Sequence, residues 1–447
     1  LCVIGLLTTI TSFAQLTVKS TSDQSSYLFV KDEVLFVTDK ITLNKSAGTD
    51  DVASTNAGIY LRGDAQLIQG EGADFNDGDG YISVYQDSRS DSWDYNNWSS
   101  PVTNAGASEF SLYGGLLDAT ETLTAQRTVF QNVGFHNGSG RSGIDYSQNS
   151  PLTISPTWLY DWDHINQNWT YLGSNGLLSP GYGFIMKGTN QSPQGGSIFE
   201  DANNQYYEFR GRPNSGTITI EVQTTPPNNP NSETGLTNVT MSGNPYPSAL
   251  DLGKFYYDSE NYGKIASILF YDEDRSINSH YYVNNKTGYG VWIPGDPLPG
   301  TVDDIVGNGL YVAPSFRNFN NDGTIGTGTS GNSGANLNRR YSPIAQGFAI
   351  APVMSNNGLI DVKFKNEHRV YEKEGSNSVF RTATERSLLR IHAIFNDYSH
   401  VRDMLLNFSD VSTVDFDLGM DAPHPMDAVR QEAYFTTNGN DTTGEVP

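Results

Sequence analysis

Apolar residues along this chain fall into short runs, many of them alternating with polar residues and bounded by Gly, Pro, Asn or Asp. Such runs are typical of β-strands joined by turns. Helical periodicity is scarce; residues 248–256, which follow Pro247, predict a short helix. The pattern therefore predicts an all-β protein built from several sandwich-like units in series, with a small N-terminal sheet or a short β-solenoid segment.

The turn-forming residues between the apolar runs divide the chain into segments. The strands of the N-terminal β segment are brief, and no fixed repeat period supports the solenoid alternative. A Pro- and Asn-rich stretch predicts a linker between two longer blocks. The predicted segments are residues 1–14 (a signal peptide with a truncated start), 15–70 (the N-terminal β segment), 71–222 (a first β-sandwich-like domain), 223–234 (the linker), 235–381 (a second such domain) and 387–447 (the start of a further, incomplete β domain).

Three stretches inside the blocks invite specific predictions. Residues 158–172 alternate aromatic and polar side chains on both sides of a polar bend, which predicts a hairpin. Residues 268–283 have a similar pattern and predict a second hairpin. Residues 318–338 are rich in Gly, Asn, Ser and Thr and predict a mobile loop.

The first residues resemble an export signal. Residues 1–15 contain no charged side chain, and an apolar run is followed by the small-residue pattern Ser12-Phe13-Ala14. Cleavage after Ala14 would remove Cys2, the only cysteine of the chain. We therefore expect an exported mature protein, secreted or on the outer cell surface, without a thiolate metal site or disulfides.

Charge and composition narrow the classes of partner. The 447 residues include 27 Lys and Arg against 50 Asp and Glu, a formal net charge of -23. Nucleic acid and anionic lipid surfaces attract clustered basic residues, so neither is expected as the main partner. Aromatic residues make up 12% of the chain, which is enough apolar area to fill cores.

No catalytic signature emerges from the sequence. The seven histidines are scattered without metal-ligand spacing, and there is no nucleophile elbow, P-loop or dinucleotide fingerprint. A glycosidase would need two opposed carboxylates, but 50 acidic residues make any chosen pair uninformative. We therefore predict no catalytic residues and no enzyme, with part of a secreted hydrolase as the alternative.

Two turn-rich stretches crowd oxygen donors around glycines, as loops that bind hard cations do. Neither satisfies the EF-hand pattern, and a solvated acidic turn is the favoured explanation of each. No other cofactor is expected, and a structural calcium ion remains a hypothesis. The candidate calcium ligands are Asp74, Asn76, Asp77 and Asp79 in the first stretch, and Asn318, Asn320 and Asp322 in the second.

Aromatic side chains offer a second kind of site. Tryptophan rings stack on sugar rings when they face solvent, and otherwise they fill the core. The candidate stacking residues are Trp93, Trp98, Trp162 and Trp169. A surface polysaccharide is therefore a candidate ligand.

An ordered series of motifs gives the chain a family resemblance. These are WDYNNWSSPV at 93–102, GYGFI at 181–185, FRGRPNSG at 209–216, SGNPYPSALD at 242–251, AQGFA at 345–349 and FKNEHRV at 364–370. Together they resemble large surface or secreted proteins of Bacteroidota that leave the cell by the type IX secretion system. The following segment, 388–421, is similar to the unit that precedes the C-terminal sorting domain of such proteins, and we expect the sorting domain itself to lie beyond this chain.

The resemblance implies a functional class. Adhesion or cell-surface roles are the usual inference for the proteins that this chain resembles. The resemblance also implies the type IX secretion machinery as a partner. No catalytic residues come with the motifs. We expect a non-catalytic secreted or cell-surface protein, adhesin-like or a component of the envelope or matrix. The alternative is a carbohydrate-binding accessory region of a larger secreted hydrolase.

Overall fold

The computed structural model describes residues 15–46, 56–70, 75–88, 90, 92–119, 126–132, 140–141, 152–189, 205–225, 238–277, 279–294, 309–323, 325–334, 337–355, 358–375, 378, 387–395 and 400–408. Strands dominate these residues, so the all-β prediction is confirmed. No helix in this part of the chain has the length and hydropathy needed to cross a lipid bilayer. The predicted signal peptide, residues 1–14, lies outside the described residues.

The N-terminal region is a solenoid-like stack of parallel strands. Its strands are β1 (Leu16–Lys19), β2 (Ser26–Lys31), β3 (Val34–Val37), β4 (Ile41–Asn44), β5 (Ala57–Arg62), β6 (Gln66–Gln69) and β7 (Tyr81–Ser88). In parallel register, β1 pairs with β4, β2 with β5, β3 with β6, and β5 with β7. The number of residues along the chain between paired positions is not constant: Leu16 pairs with Ile41, whereas Ser26 pairs with Ala57. This variation conceals any fixed repeat period in the sequence.

The next block is joined to this stack through a shared sheet. Its elements are β8 (Tyr95–Ser99), β9 (Val102–Thr103), α1 (Leu112–Gly115), β10 (Leu116–Asp118), β11 (Gln126–Arg127), β12 (Val129–Phe130), β13 (Gly140–Arg141), β14 (Leu152–Ile154), a 3₁₀ turn (Pro156–Trp158), β15 (Tyr160–Asp163), β16 (Asn168–Tyr171), β17 (Gly183–Lys187) and β18 (Gln205–Pro213). Strand β18 pairs antiparallel with β7, and the sheet order is β11-β10-β18-β7-β5-β2. A second, antiparallel sheet has the order β16-β15-β17-β8.

The following block is built around another antiparallel sheet. Its elements are β19 (Ile218–Gln223), β20 (Thr240–Gly243), β21 (Ala249–Asp251), α2 (Leu252–Tyr257), β22 (Ile265–Glu273), β23 (Thr287–Ile293), β24 (Leu310–Val312), β25 (Ser315–Phe319), β26 (Ile325–Ser333), β27 (Tyr341–Ser342), β28 (Gly347–Pro352), β29 (Leu359–Phe364), a 3₁₀ turn (Asn366–His368) and β30 (Arg369–Val370). The main sheet has the order β20-β28-β22-β23-β25-β26, with β24 on β23; β19 pairs with β29, and β21 lies between β27 and β30. Farther along, β31 (Ser387–Phe395) and β32 (His400–Phe408) form a hairpin.

The two blocks meet where their backbones approach closely. Trp98 of β8 bridges to Gln346, and Tyr182 bridges to Ser242. A Cβ atom on Gly183 would lie 2.6 Å from the Ser242 carbonyl oxygen, and one on Gly347 only 2.4 Å from the backbone of Asn97. Glycine is required at both positions because any side chain would separate the backbones. This junction fixes the antiparallel sheet of β8 against the sheet of β28.

Several local predictions can be compared with these elements. The hairpin predicted over 158–172 is confirmed as β15 and β16, and the short helix predicted over 248–256 is observed as α2. The second strand of the hairpin predicted over 268–283 was misplaced, because β22 pairs with β23 at Thr287–Ile293. The prediction of a loop over 318–338 was wrong for most of that stretch, since β26 pairs there with β25 as a strand at the end of the sheet. An end strand has one open edge and tolerates Gly, Ser and Thr.

Candidate binding cleft

A cleft of about 540 Å³ opens between the sheet of β8, β15, β16 and β17 and the sheet of β22, β23 and β25. Aromatic rings dominate its walls. The first sheet contributes Tyr95, Asn97, Tyr160, Trp169 and Ile185. The second sheet and its loops contribute Tyr271, Tyr282, Asn285, Thr287, Gly288, Tyr289, Val291, Val312, Ala313, Pro314, Ser315, Arg317, Phe319, Asp322, Gly323 and Ile325.

Strand alternation explains how the same strands serve both the core and the cleft. On β8, Trp98 is fully buried in the core, whereas its neighbour Asn97 lines the cleft. On β25, Phe316 is buried, whereas Arg317 faces the cleft. Successive side chains of a strand point to opposite faces of its sheet, so one face can pack while the other binds.

A small apolar cluster supports the cleft from below. Trp162, Ile185, Met241 and Leu269 are buried together, and Trp169 packs against them while half-exposed. Side chains held by such packing do not have to be ordered when a ligand arrives, which favours binding.

Tyrosine hydroxyl groups give the cleft polar atoms among its rings. The rings of Tyr271 and Tyr289 meet edge to face with centroids 5.5 Å apart. Burial raises the pKa of Tyr95 and of Tyr289 above the usual range. Both phenols therefore stay protonated at neutral pH and can donate and accept hydrogen bonds.

Asn97 is the most notable polar group of the wall. Its side chain is only 6% exposed and lies beside the Tyr289 phenol, whose pKa it lowers against the effect of burial. Among the described residues, neither atom of its carboxamide has a hydrogen-bond partner of normal geometry. A buried amide without partners is costly, and a ligand hydroxyl would satisfy it. Asn97 therefore indicates a ligand with hydrogen-bonding groups.

A loop at the rim of the cleft joins β25 to β26. Tyr282 is 58% exposed and packs beside Gly323, where a Cβ atom would lie 3.2 Å from the tyrosine ring. Gly323 also has a φ of 85°, which glycine adopts readily. Arg317 and Asp322 are the charged residues among the described lining of the cleft, and both are exposed.

The four predicted stacking residues have different surroundings. Trp169 lines the cleft. Trp162 is 5% exposed beneath it, and its indole Nε1 donates to the Val239 carbonyl at 3.0 Å. Trp98 is fully buried against Tyr207 and Phe209, so its ring offers no open face in this structure. Trp93 is half-buried, and its ring lies 4.4 Å from that of His280.

In the first predicted calcium stretch, Asn76, Asp77 and Asp79 each have a side-chain oxygen that accepts hydrogen bonds from protein groups. Asn76 accepts from the Ile41 amide and from Gln69, and donates to Gln69 and to the Pro213 carbonyl. Asp77 accepts from the Gly78 amide, and Asp79 from the Lys45 amide. Asp74 lies outside the described residues. These hydrogen bonds show that Asn76, Asp77 and Asp79 stabilise the local turns. Calcium binding at this stretch remains a prediction.

The second calcium stretch lies at the cleft. Asn318 belongs to β25, and the backbone carbonyl of Asn320 accepts from the Gly323 amide at 3.1 Å in the turn that follows. Asp322 lines the cleft. The structure therefore brings Asp322 together with Trp169, two residues that the sequence assigned to separate sites.

Asp258, Glu367 and His368 form a cluster whose ligand atoms lie within 4.8 Å of one another. The Lys365 ammonium group already sits among these carboxylates, 2.8 Å from Asp258 and 3.5 Å from Glu367. His368 Nε2 lies 2.9 Å from Asp258. A lysine in this position supplies the positive charge that a metal ion would otherwise provide, so the cluster is an ion-pair network.

Sequence reasoning missed most of the cleft. Tyr289 and Arg317 line it outside the motifs that the sequence singled out, and the motif at 93–102, which contains Asn97, was not assigned to binding. One available signal is the alternation in β23, where Thr287, Tyr289 and Val291 line the cleft and Trp292 is buried.

Comparison with known proteins adds one finding. The model of a family described as a domain of unknown function (DUF8693) matches residues 135–293, a span that contains Trp169 and Tyr289 but neither Asn97 nor Arg317. No curated protein and no solved structure matches the chain.

Proposed function

We propose that this chain is a non-catalytic, adhesin-like binding protein of the cell exterior whose aromatic cleft takes a carbohydrate. The observation that carries the proposal is the combination of ring faces with the buried Asn97 amide, which has no hydrogen bond of normal geometry among the described residues, in one cleft. A sugar ring has C–H faces that pack on aromatic rings and hydroxyl edges that need hydrogen bonds. Trp169 and Tyr160 supply faces, while Asn97 and the tyrosine hydroxyls supply partners for the edges.

The charged groups of the cleft favour binding over hydrolysis. Glycoside hydrolysis commonly uses a pair of carboxylates on opposite sides of the scissile bond. Asp322 is the one carboxylate among the described residues that line the cleft. The closely related alternative, an accessory region of a larger hydrolase, uses the same binding step and differs in having a catalytic domain elsewhere in the protein.

Binding to a glycan array tests the proposal, with affinities measured by calorimetry for each hit. We expect W169A to weaken binding about tenfold or more, because truncating an aromatic anchor at the centre of a site costs at least about 1.4 kcal/mol. N97A should also weaken it. Y262A is the matched control, since Tyr262 is 66% exposed and does not line the cleft. Equal losses in W169A and Y262A, or a wild-type protein that binds no glycan, would contradict the proposal.

The location and export route are supported by the leader-like residues 1–14 and by the resemblance to type IX cargo. Protease treatment of intact cells tests both. We expect the protein to be digested on wild-type cells or found in the medium, and to be retained inside cells that lack the type IX machinery. Retention in wild-type cells would contradict an exterior role.

A further inference from the structure

We propose that Arg317 makes the cleft selective for an acidic saccharide, one that carries a carboxylate or a sulfate group. This inference rests on the proposed carbohydrate-binding function and specifies the class of sugar. It starts from the charge of a single basic side chain in a cleft whose other charged residue, among those described, is Asp322.

Arg317 supplies the positive charge among the described residues of the cleft wall. The strand β25 directs it into the cleft together with Ser315 and Phe319. Its cross-strand neighbour on β23 is Thr287, which also lines the cleft. The strand positions next to Arg317 therefore carry hydroxyl side chains that line the same cleft, and hydroxyls can donate to an anion.

Several other basic side chains in this protein are paired with acids, while others bond to carbonyl and hydroxyl oxygens. Arg210 binds Glu208, Arg340 binds Asp251 at 2.9 Å, and Lys365 binds Asp258 at 2.8 Å. Among the described residues, no carboxylate lies within ion-pair distance of Arg317. Arg317 is exposed within the cleft, so its guanidinium group is accessible to an anionic group of a ligand.

The chemistry of arginine fits this role. Its planar guanidinium group forms two parallel hydrogen bonds with a carboxylate or a sulfate-like oxyanion, and it remains charged at any physiological pH. Phe319 on the same strand and Trp169 on the other sheet of the cleft would pack on the sugar ring to which the acidic group is attached.

Asp322 constrains the orientation of an acidic ligand in the cleft. It lines the same cleft and would repel an acidic group placed beside it. The acidic group of the ligand should therefore lie toward Arg317 and away from Asp322. The net charge of -23 repels polyanions as a whole, so a preference for an acidic glycan cannot come from the overall charge of the protein.

Matched pairs of glycans test the inference: polygalacturonate against its carboxyl-reduced form, dextran sulfate against dextran, and array oligosaccharides that differ by one uronate or sulfate group. The wild-type protein should bind the acidic member of at least one pair roughly tenfold or more tightly at low salt, and the preference should shrink as salt is added. The carboxylate and sulfate pairs separate the two possible sources of the charge.

Three variants make the result specific. R317Q should abolish the preference for the acidic member, whereas W169A should weaken both members and leave their affinity ratio unchanged. D322N should strengthen binding of the acidic member. Equal wild-type binding to both members, or a preference that survives in R317Q, would overturn the role of Arg317 and leave carbohydrate binding intact. Binding to no glycan by a folded wild-type protein would overturn both proposals.

Discussion

Trp162 and Trp169 face each other across the β15–β16 hairpin with ring centroids 5.0 Å apart, yet one ring is buried and the other lines the cleft. The edge-to-face contact holds the ring of Trp169 in place. Trp162 therefore supports the sheet, whereas Trp169 presents its ring to the cleft.

This division predicts different consequences for two similar substitutions. W162A should lower the free energy of unfolding by about 3–5 kcal/mol, because it removes a buried ring together with its hydrogen bond to Val239. W169A should cost less stability, since its ring is only half-buried. Chemical denaturation measures both. A larger loss for W169A than for W162A would contradict the assignment of Trp162 as the supporting residue.

The contact between the two blocks predicts a strict requirement for glycine. G347A should destabilise the protein by about 1–3 kcal/mol, because the new methyl group would lie 2.4 Å from the backbone of Asn97. It should also weaken ligand binding, since Asn97 lines the cleft. The matched control is G375A, where nothing lies within 4 Å of the added atom, and thermal melting should show little change. Equal melting temperatures for the two variants would contradict this account of the junction.

The sequence predicted what is local in this fold. The hairpin of β15 and β16 was foreseen, because alternation and turn residues lie within one short stretch, and the β domain expected from residue 387 begins with β31 and β32. The partner of β7 was not foreseen, since β18 lies more than a hundred residues away and no local pattern encodes that pairing.

The cleft escaped sequence reasoning for the same reason. Asn97, Trp169 and Arg317 come from three distant parts of the chain and meet only through packing of two sheets. The misplaced strand near residue 280 has a second cause. Tyr281, Tyr282 and Val283 have strong strand propensity but lie in an exposed loop, while the Gly-rich β23 takes the place in the sheet. Tertiary packing overrides propensity there.

The bonds of Asn76 predict a structural role that is independent of calcium. N76A should lower the free energy of unfolding by about 1–3 kcal/mol, because it leaves the buried Ile41 amide and Gln69 side chain without their partner. We expect the loss to be the same in EDTA and in excess calcium. A loss that appears only with calcium would instead support a bound ion at residues 74–80.

Burial of His368 predicts a specific dependence of stability on pH. Burial lowers the pKa of His368 below its usual value, although the adjacent Asp258 and Glu367 carboxylates oppose the shift and the Lys365 ammonium group reinforces it. The Lys365 amide donates to Nδ1 at 3.1 Å, so the neutral ring points its Nε2 proton at Asp258. Burial alone would raise the pKa of Asp258, but hydrogen bonds, chiefly from Lys365, lower it, and this carboxylate stays ionised in the range considered.

The sign of the effect follows from proton binding. Below about pH 6.5 the unfolded state protonates His368, while the folded state does so only at a lower pH. The stability contributed by this residue is therefore present above about pH 6.5 and is lost as the pH falls toward the lower, folded pKa. His164, whose pKa burial also lowers, adds to the loss with the same sign.

Melting temperatures measured from about pH 7.5 down to about pH 5 check this prediction. H368Q keeps a donor toward Asp258 and should be less stable at neutral pH, yet it should lose less stability than the wild type as the pH falls. H164Q should remove a separate part of the decrease in melting temperature with falling pH. The double variant should remove both parts because the two sites are independent. If H368Q retained the full wild-type slope, the folded state would have to bind a proton at His368 as readily as the unfolded chain does.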